Sequence, residues 1–127
     1  MQVIIITSAD PVSNEIEVIH DLFKAGLKIL HVRKPDFTRE EMKAYLKGIS
    51  HKYRNRLVIH SYHDLARKMR LKGIHKPDTK SNDNWISTLR LKISKLLNSR
   101  LQISTTVHNM KSLEGKSLLY DYVIFSP

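Results

Sequence analysis

The sequence predicts an α/β fold of six parallel strands with intervening helices, either an open doubly wound sheet or an incomplete (β/α)8-barrel-type sheet. Three observations predict it. Short β-rich runs alternate with segments of helical spacing along the chain. The links between them are short, which suits parallel strands joined by right-handed crossovers. Polar and cationic side chains gather at the C-terminal ends of the strands, where α/β proteins bind their ligands.

Each element has its own signal. Gln2–Thr7 is an apolar first strand. Ser13–Ala25 is a helix whose apolar face carries Ile16, Val18, Ile19, Leu22 and Phe23, with Gly26 as its terminator. Lys28–Arg33 is the second strand. Thr38 is a helix N-cap, and Glu41 three residues later completes a capping box. The helix it starts buries Met42, Tyr45, Leu46 and Ile49. Leu57–Ser61 is a third strand, His63–Arg70 a short helix and Gly73–His75 a brief fourth strand. Asp78–Trp85 is polar and reads as a loop. Trp85–Asn98 is helical, with Ile86, Leu89, Ile93, Leu96 and Leu97 on the buried side. Leu101–Thr106 is a fifth strand, Met110–Leu119 a weak short helix and Tyr122–Phe125 a sixth strand.

Two architectures satisfy this order: an open doubly wound sheet, or part of an eight-stranded βα barrel. A full barrel commonly takes about 250 residues, and the chain has 127, so length by itself favours the open sheet. After the first strand, "IIITSADPVS" contains no glycine. That argues against a dinucleotide-binding loop.

Composition narrows the functional classes. With 41% hydrophobic and 27% charged residues the chain is an ordinary globular one of single-domain size, 1–127. No apolar run approaches the roughly 18 residues of a membrane span. The absence of cysteine excludes disulfides, thiolate metal sites and cysteine catalysis. It agrees with a cytoplasmic location, which is the expectation. The formal charge of +10 calls for an anionic partner: nucleic acid, an acidic membrane or a phosphorylated small molecule. No helix-turn-helix, zinc finger or aromatic RNA-binding signature is present, so neither nucleic acid nor membrane is expected as partner.

The strand ends carry the chemistry. The second strand offers His31, Arg33 and Lys34, the third His60 and Ser61, and the fourth His75 and Lys76. The fifth ends in Thr105 and Thr106, with His108 just beyond. Four of the seven histidines thus stand at or just past strand C-termini. Period two puts His31 and Arg33 on one face, opposite Leu30 and Val32. Arg33 offers a planar donor fork to a phosphate or a polar heterocycle, or else pairs with a carboxylate inside the barrel. His108 has the place of a general acid or base, a role that suits imidazole; a hydrogen bond to a neighbouring loop is the plainer alternative. His60 and His75 divide between ligand contact and core hydrogen bonding. No HxH or HExxH spacing and no placed carboxylate accompanies these histidines, so no metal ligand is assigned.

The runs "GLKILHVRKP", "RLVIH", "KGIHKP", "ISTTVHN" and "YDYVIFSP" occur in an order that resembles the thiamine phosphate synthase and thiazole tautomerase family. The resemblance spans nearly the whole chain. It implies a TIM barrel whose mouth binds a pyrimidine pyrophosphate and a thiazole phosphate. It also implies a synthase-like transferase that joins the two. Substrate contacts then fall to His31, Arg33, Lys34, His60, His75 and Thr106.

The pattern departs from the synthases at definite places. Their Gln-x-Arg-x-Lys becomes His31-Val32-Arg33-Lys34 here, with the arginine matched and the lysine one residue early. Their Asn-Asp after the third strand becomes His60-Ser61. Gly73, Ile74 and His75 match the start of Gly-Val-His-x-Gly-Gln, but Lys80 falls where a second aspartate is expected, with Asp78 nearby. The magnesium expected of a synthase therefore lacks its aspartate ligands, and no cofactor is evident. The tautomerase branch also lacks these aspartates and shares "TVH", which makes His108 the catalytic base of a metal-independent proton transfer. A non-catalytic phosphate-ligand binder is the remaining alternative. The family's phosphate site follows strands seven and eight, so the chain reads as the N-terminal portion of such a barrel. A homo-oligomer covering the open barrel edges is expected.

Overall fold

Six apolar runs become six strands of one sheet, in the order in which the chain supplies them. The computed structural model describes residues 2–77, 93, 96, 100–113 and 120–126. The strands are β1 (Ile4–Ile6), β2 (Ile29–Val32), β3 (Leu57–Ile59), β4 (Gly73–Lys76), β5 (Gln102–Val107) and β6 (Tyr122–Phe125). Sheet order is β1-β2-β3-β4-β5-β6, and every neighbouring pair is parallel. The helices α1 (Glu15–Lys24), α2 (Arg39–Gly48) and α3 (Asp64–Lys68) lie in the first three crossovers.

The sheet curls. His31 on β2 and Tyr122 on β6 are separated by three strands, yet His31 Nε2 lies 2.7 Å from the Tyr122 hydroxyl. In a flat sheet four strand spacings would hold them about 19 Å apart. Only a sheet bending towards closure brings those side chains together. The incomplete barrel is thus the architecture, and the open doubly wound alternative fails. Sequential strand order agrees, since a doubly wound sheet reverses its order at a switch point.

The convex face is the apolar one. Leu30 and Val32 from β2, Leu57 and Ile59 from β3, Ile74 and Ile103 share one cluster with Ile19 and Phe23 of α1. Met42 and Leu46 of α2 and Leu65 and Ala66 of α3 complete it. Strand period two therefore turns the alternate residues, His31, Val58, His75 and Ser104 among them, to the concave side. His31 and Ser104 have no exposure to solvent, so this side is a packed interior.

Local signals explain the element ends. Thr38 accepts from the Glu41 amide while the Glu41 carboxylate accepts from the Thr38 amide, the predicted capping box. After α1, Gly26 takes φ +107°, and the amides of Gly26 and Leu27 reach back to the carbonyls of Phe23 and Leu22. That is a Schellman stop at the predicted terminator. Gly73 is required by contact: a Cβ there would lie 2.2 Å from the Gln102 carbonyl oxygen on β5.

Some element expectations are corrected. Val18 is exposed, because at about 100° per residue it stands about a third of a turn off the face set by Ile19 and Phe23. His51–Arg56 forms a 3-10 helix with no sequence signal beyond its buried Tyr53. At Met110–Leu113 the chain makes a 3-10 turn, and residues 114–119 lie outside the described residues. Ile93 and Leu96 are helical as predicted but exposed by 46% and 83%. Periodicity marks an apolar stripe without saying what covers it. The predicted 78–85 loop and the rest of the 85–98 helix lie outside the described residues. Among the described residues, no helix is long and apolar enough to cross a membrane.

Candidate functional site

Parallel strands in a curled sheet aim their C-terminal ends at a common opening, and a cavity of about 740 Å³ lies there. Arg33, Lys34, His60, Ser61, His75, Thr106, His108 and Ser126 help to line it. All the candidate residues but His31 border this cavity. His31 lies one layer deeper, fully buried, beneath His60 and His75.

These three imidazoles form a cluster. His31 Nδ1 is 2.8 Å from His60 Nε2, while the His60 and His75 rings stack with centroids 4.2 Å apart. The His31 and His75 rings meet edge-on at 5.3 Å. Three of the four other nitrogens are held too: His31 Nε2 by the Tyr122 hydroxyl, His75 Nδ1 by Ser104 Oγ and His75 Nε2 by Thr106 Oγ1, the last two at 2.9 Å. Below the rim, His63 Nε2–H donates to the carbonyls of both His60 and His75, tying the ends of β3 and β4 together.

Burial keeps the cluster neutral. Desolvation, reinforced by the other histidines, pushes His31 and His75 down to about 4 and His60 to about 3. Arg33, which lines the same cavity, adds to the depression at His60. His63 is lowered as well, first by burial and then by Lys76 among its neighbours. At neutral pH the cluster therefore presents lone pairs and N–H groups rather than charge.

The two cations of β2 part company. Arg33 is exposed at the rim, its amide donating to Thr7 Oγ1. Lys34 is only 2% exposed, with Nζ 2.8 Å from one Glu15 carboxylate oxygen and donating to the Asp10 carbonyl at 3.1 Å. Its ammonium clamps the end of β2 to the start of α1, and the Glu15 charge opposes its own. Among the described residues, Arg33 is the cation at the end of β2 that lines the cavity without a carboxylate partner.

His108 is exposed on the far wall. Its Nδ1 lies 2.6 Å from the Ser126 carbonyl oxygen. A carbonyl only accepts, so Nδ1 carries the proton and the neutral ring keeps its lone pair on Nε2. Ser61 Oγ, also at the cavity, is buried with no hydrogen-bond partner among the described residues.

Tyr122 and Ser104 belong to this site and were missed in the sequence, where they read only as strand residues. Their signal was a hydroxyl at alternate positions of otherwise apolar strands, too common to be diagnostic. Magnesium, the ion the resemblance implies, prefers oxygen ligands from carboxylates. Among the described residues no Asp or Glu lines the cavity. His60 and Ser61 stand where the family pattern has Asn and Asp, and Asp64 is paired on the surface with Arg39 and Lys68. These residues do not fit magnesium. Asp78 and Lys80 lie outside the described residues.

Comparison with known proteins agrees with the resemblance. The family model for thiamine monophosphate synthase matches residues 3–127. A solved structure, thiamine phosphate pyrophosphorylase from Bacteroides thetaiotaomicron, superposes with a TM-score of 0.78 at 28% identity. The match covers 100% of this chain and 58% of that one, so the chain spans little more than half the length of that protein. No curated protein matches the chain.

Proposed function

Because the chain belongs to the thiamine monophosphate synthase family, we propose that it serves thiamine biosynthesis as a synthase-like protein. In this reading the strand mouth binds a thiazole phosphate and a hydroxymethylpyrimidine pyrophosphate and joins them. The family match over residues 3–127 is the observation that carries it. Arg33 at the rim supplies a fork for phosphate oxygens, and Ser61 and Thr106 supply hydroxyls in the same wall. The neutral imidazoles of His60 and His75 offer hydrogen bonds to a heterocycle without adding charge.

The test is product formation. The chain is incubated with both phosphorylated substrates, with and without magnesium, and thiamine phosphate is measured. Arg33→Ala is expected to raise KM for the phosphorylated ligands by about tenfold, the worth of one charge-assisted contact. Absence of thiamine phosphate under every condition sinks the synthase reading.

One observation favours a second reading, a metal-independent thiazole tautomerase. His108 has its lone pair on the outward nitrogen, and the cavity beside it holds no carboxylate among the described residues. Moving a proton on a thiazole carboxylate phosphate needs such a base and a phosphate anchor, which Arg33 provides. His108→Ala is expected to slow proton exchange on that ligand by about 100-fold or more and to leave its affinity nearly unchanged. Exchange at the wild-type rate would remove His108 from the chemistry.

A further inference from the structure

One nitrogen from each of His31, His60 and His75 lies within 4.8 Å of the other two. The three rings come from consecutive strands, one from each, which is why no local spacing motif announces them. We propose that His31, His60 and His75 form a three-histidine site for a divalent cation of the zinc class, whose fourth position opens into the strand mouth.

The three nitrogens lie within 4.8 Å of one another, so small ring movements bring them to the spacing such an ion sets. Zinc binds imidazole nitrogen at about 2.0–2.1 Å, which puts neighbouring nitrogens of a tetrahedral site about 3.3 Å apart. His31 Nδ1 and His60 Nε2, at 2.8 Å, already share one proton between two lone pairs. An ion entering there takes the place of that proton, which shifts to the far nitrogen of the ring that carries it. The His31 proton then resides on Nε2, where the Tyr122 oxygen accepts it at 2.7 Å. Ser104 Oγ holds His75 Nδ1 in the same way, which leaves Nε2 for the ion once it releases Thr106 Oγ1. Outer hydrogen bonds of this kind fix the tautomer and the ring plane of a metal-bound histidine. His60 is half-buried at the cavity wall.

Ligand chemistry selects the ion. Three neutral imidazoles suit zinc and its first-row neighbours, whereas magnesium and calcium require oxygen donors that this cluster lacks. The surroundings select the fourth ligand. No carboxylate among the described residues faces the cluster from the cavity, and Arg33 lines the same cavity as His60. A doubly charged cation beside a guanidinium favours an anionic oxygen at the open position, from hydroxide or phosphate. The site would thus attract the same class of group as the rim arginine. Zinc uptake requires neither the synthase nor the tautomerase reading.

The experiment titrates the chelator-stripped chain with zinc by calorimetry, and with cobalt(II) by visible absorption. One equivalent and the intense spectrum of tetrahedral cobalt are expected, with excess magnesium displacing neither. His60→Ala and His75→Ala should each weaken zinc binding by about 100-fold or more, and Tyr122→Phe by about tenfold. His51→Ala, on an exposed histidine remote from the cluster, should change nothing. Failure of the wild-type chain to take up zinc overturns the proposal without recourse to any variant. So does undiminished affinity in folded His60→Ala, which would place the ion on other histidines.

Discussion

His60 stands between two environments, stacked on His75 and bonded to His31 on one side, open to the cavity and Arg33 on the other. Its neutrality has a consequence for stability. The folded values of about 4, 3 and 4 for His31, His60 and His75 lie below the ordinary 6.5. Between these limits the unfolded chain binds more protons than the folded one, so stability falls as pH falls. The contribution is complete above about pH 6.5 and disappears as pH drops through the folded values. One imidazole titrating alone changes stability by at most about 1.4 kcal/mol per pH unit. Urea unfolding of the metal-free chain should therefore show a clear loss between pH 7 and pH 5. A flat profile would mean that these rings are not desolvated. Lys34 gives the converse lesson at this scale. In the sequence it stood beside Arg33 as a second cation for an anionic ligand, but burial against Glu15 uses its charge inside the fold.

At the scale of the elements, turn chemistry and close contacts decide. The stop after α3 repeats the geometry of the stop after α1: the Leu71 and Arg70 amides reach back to Ala66 and Arg67 carbonyls. Here, however, Arg70 occupies the left-handed position, at φ 56°. Glycine is the residue that geometry favours. Arg70→Gly is expected to stabilise the chain by about 0.5–1 kcal/mol, read as a higher urea midpoint at unchanged slope. Gly73 is the opposite case. An added Cβ collides with the Gln102 backbone, which cannot move without opening the β4–β5 ladder. Gly73→Ala should cost about 2–3 kcal/mol, and a variant as stable as the wild type would contradict the described register.

At the scale of the molecule, the sheet has two unpaired margins among the described residues. β1 pairs only with β2, and β6 only with β5. Exposed apolar side chains lie along both, Val3 and Ile6 at one and Phe125 at the other. Unpaired strand edges with apolar side chains recruit other strands. The isolated chain is accordingly expected to self-associate with rising concentration in sedimentation analysis, and Phe125→Lys to shift it towards monomer. A monodisperse monomer at all concentrations would show that these edges are silent.

The sequence by itself determined the six strands, their parallel direction, the capping box at Thr38, the stop at Gly26 and the mouth as the place of polar chemistry. All of these rest on near neighbours in the chain: period two, period 3.6, and cap and turn residues at fixed offsets. It also set His31, Arg33, His60, His75, Thr106 and His108 at strand ends, because parallel strands share a polarity. Only the tertiary structure decided between open sheet and barrel, since curvature is expressed in contacts such as His31 with Tyr122, which lie 91 residues apart. Only it separated Arg33 from Lys34 and gathered His31, His60 and His75 into one cluster. Those outcomes depend on which side chains meet across strands, and strand spacing and curl, rather than sequence distance, control that.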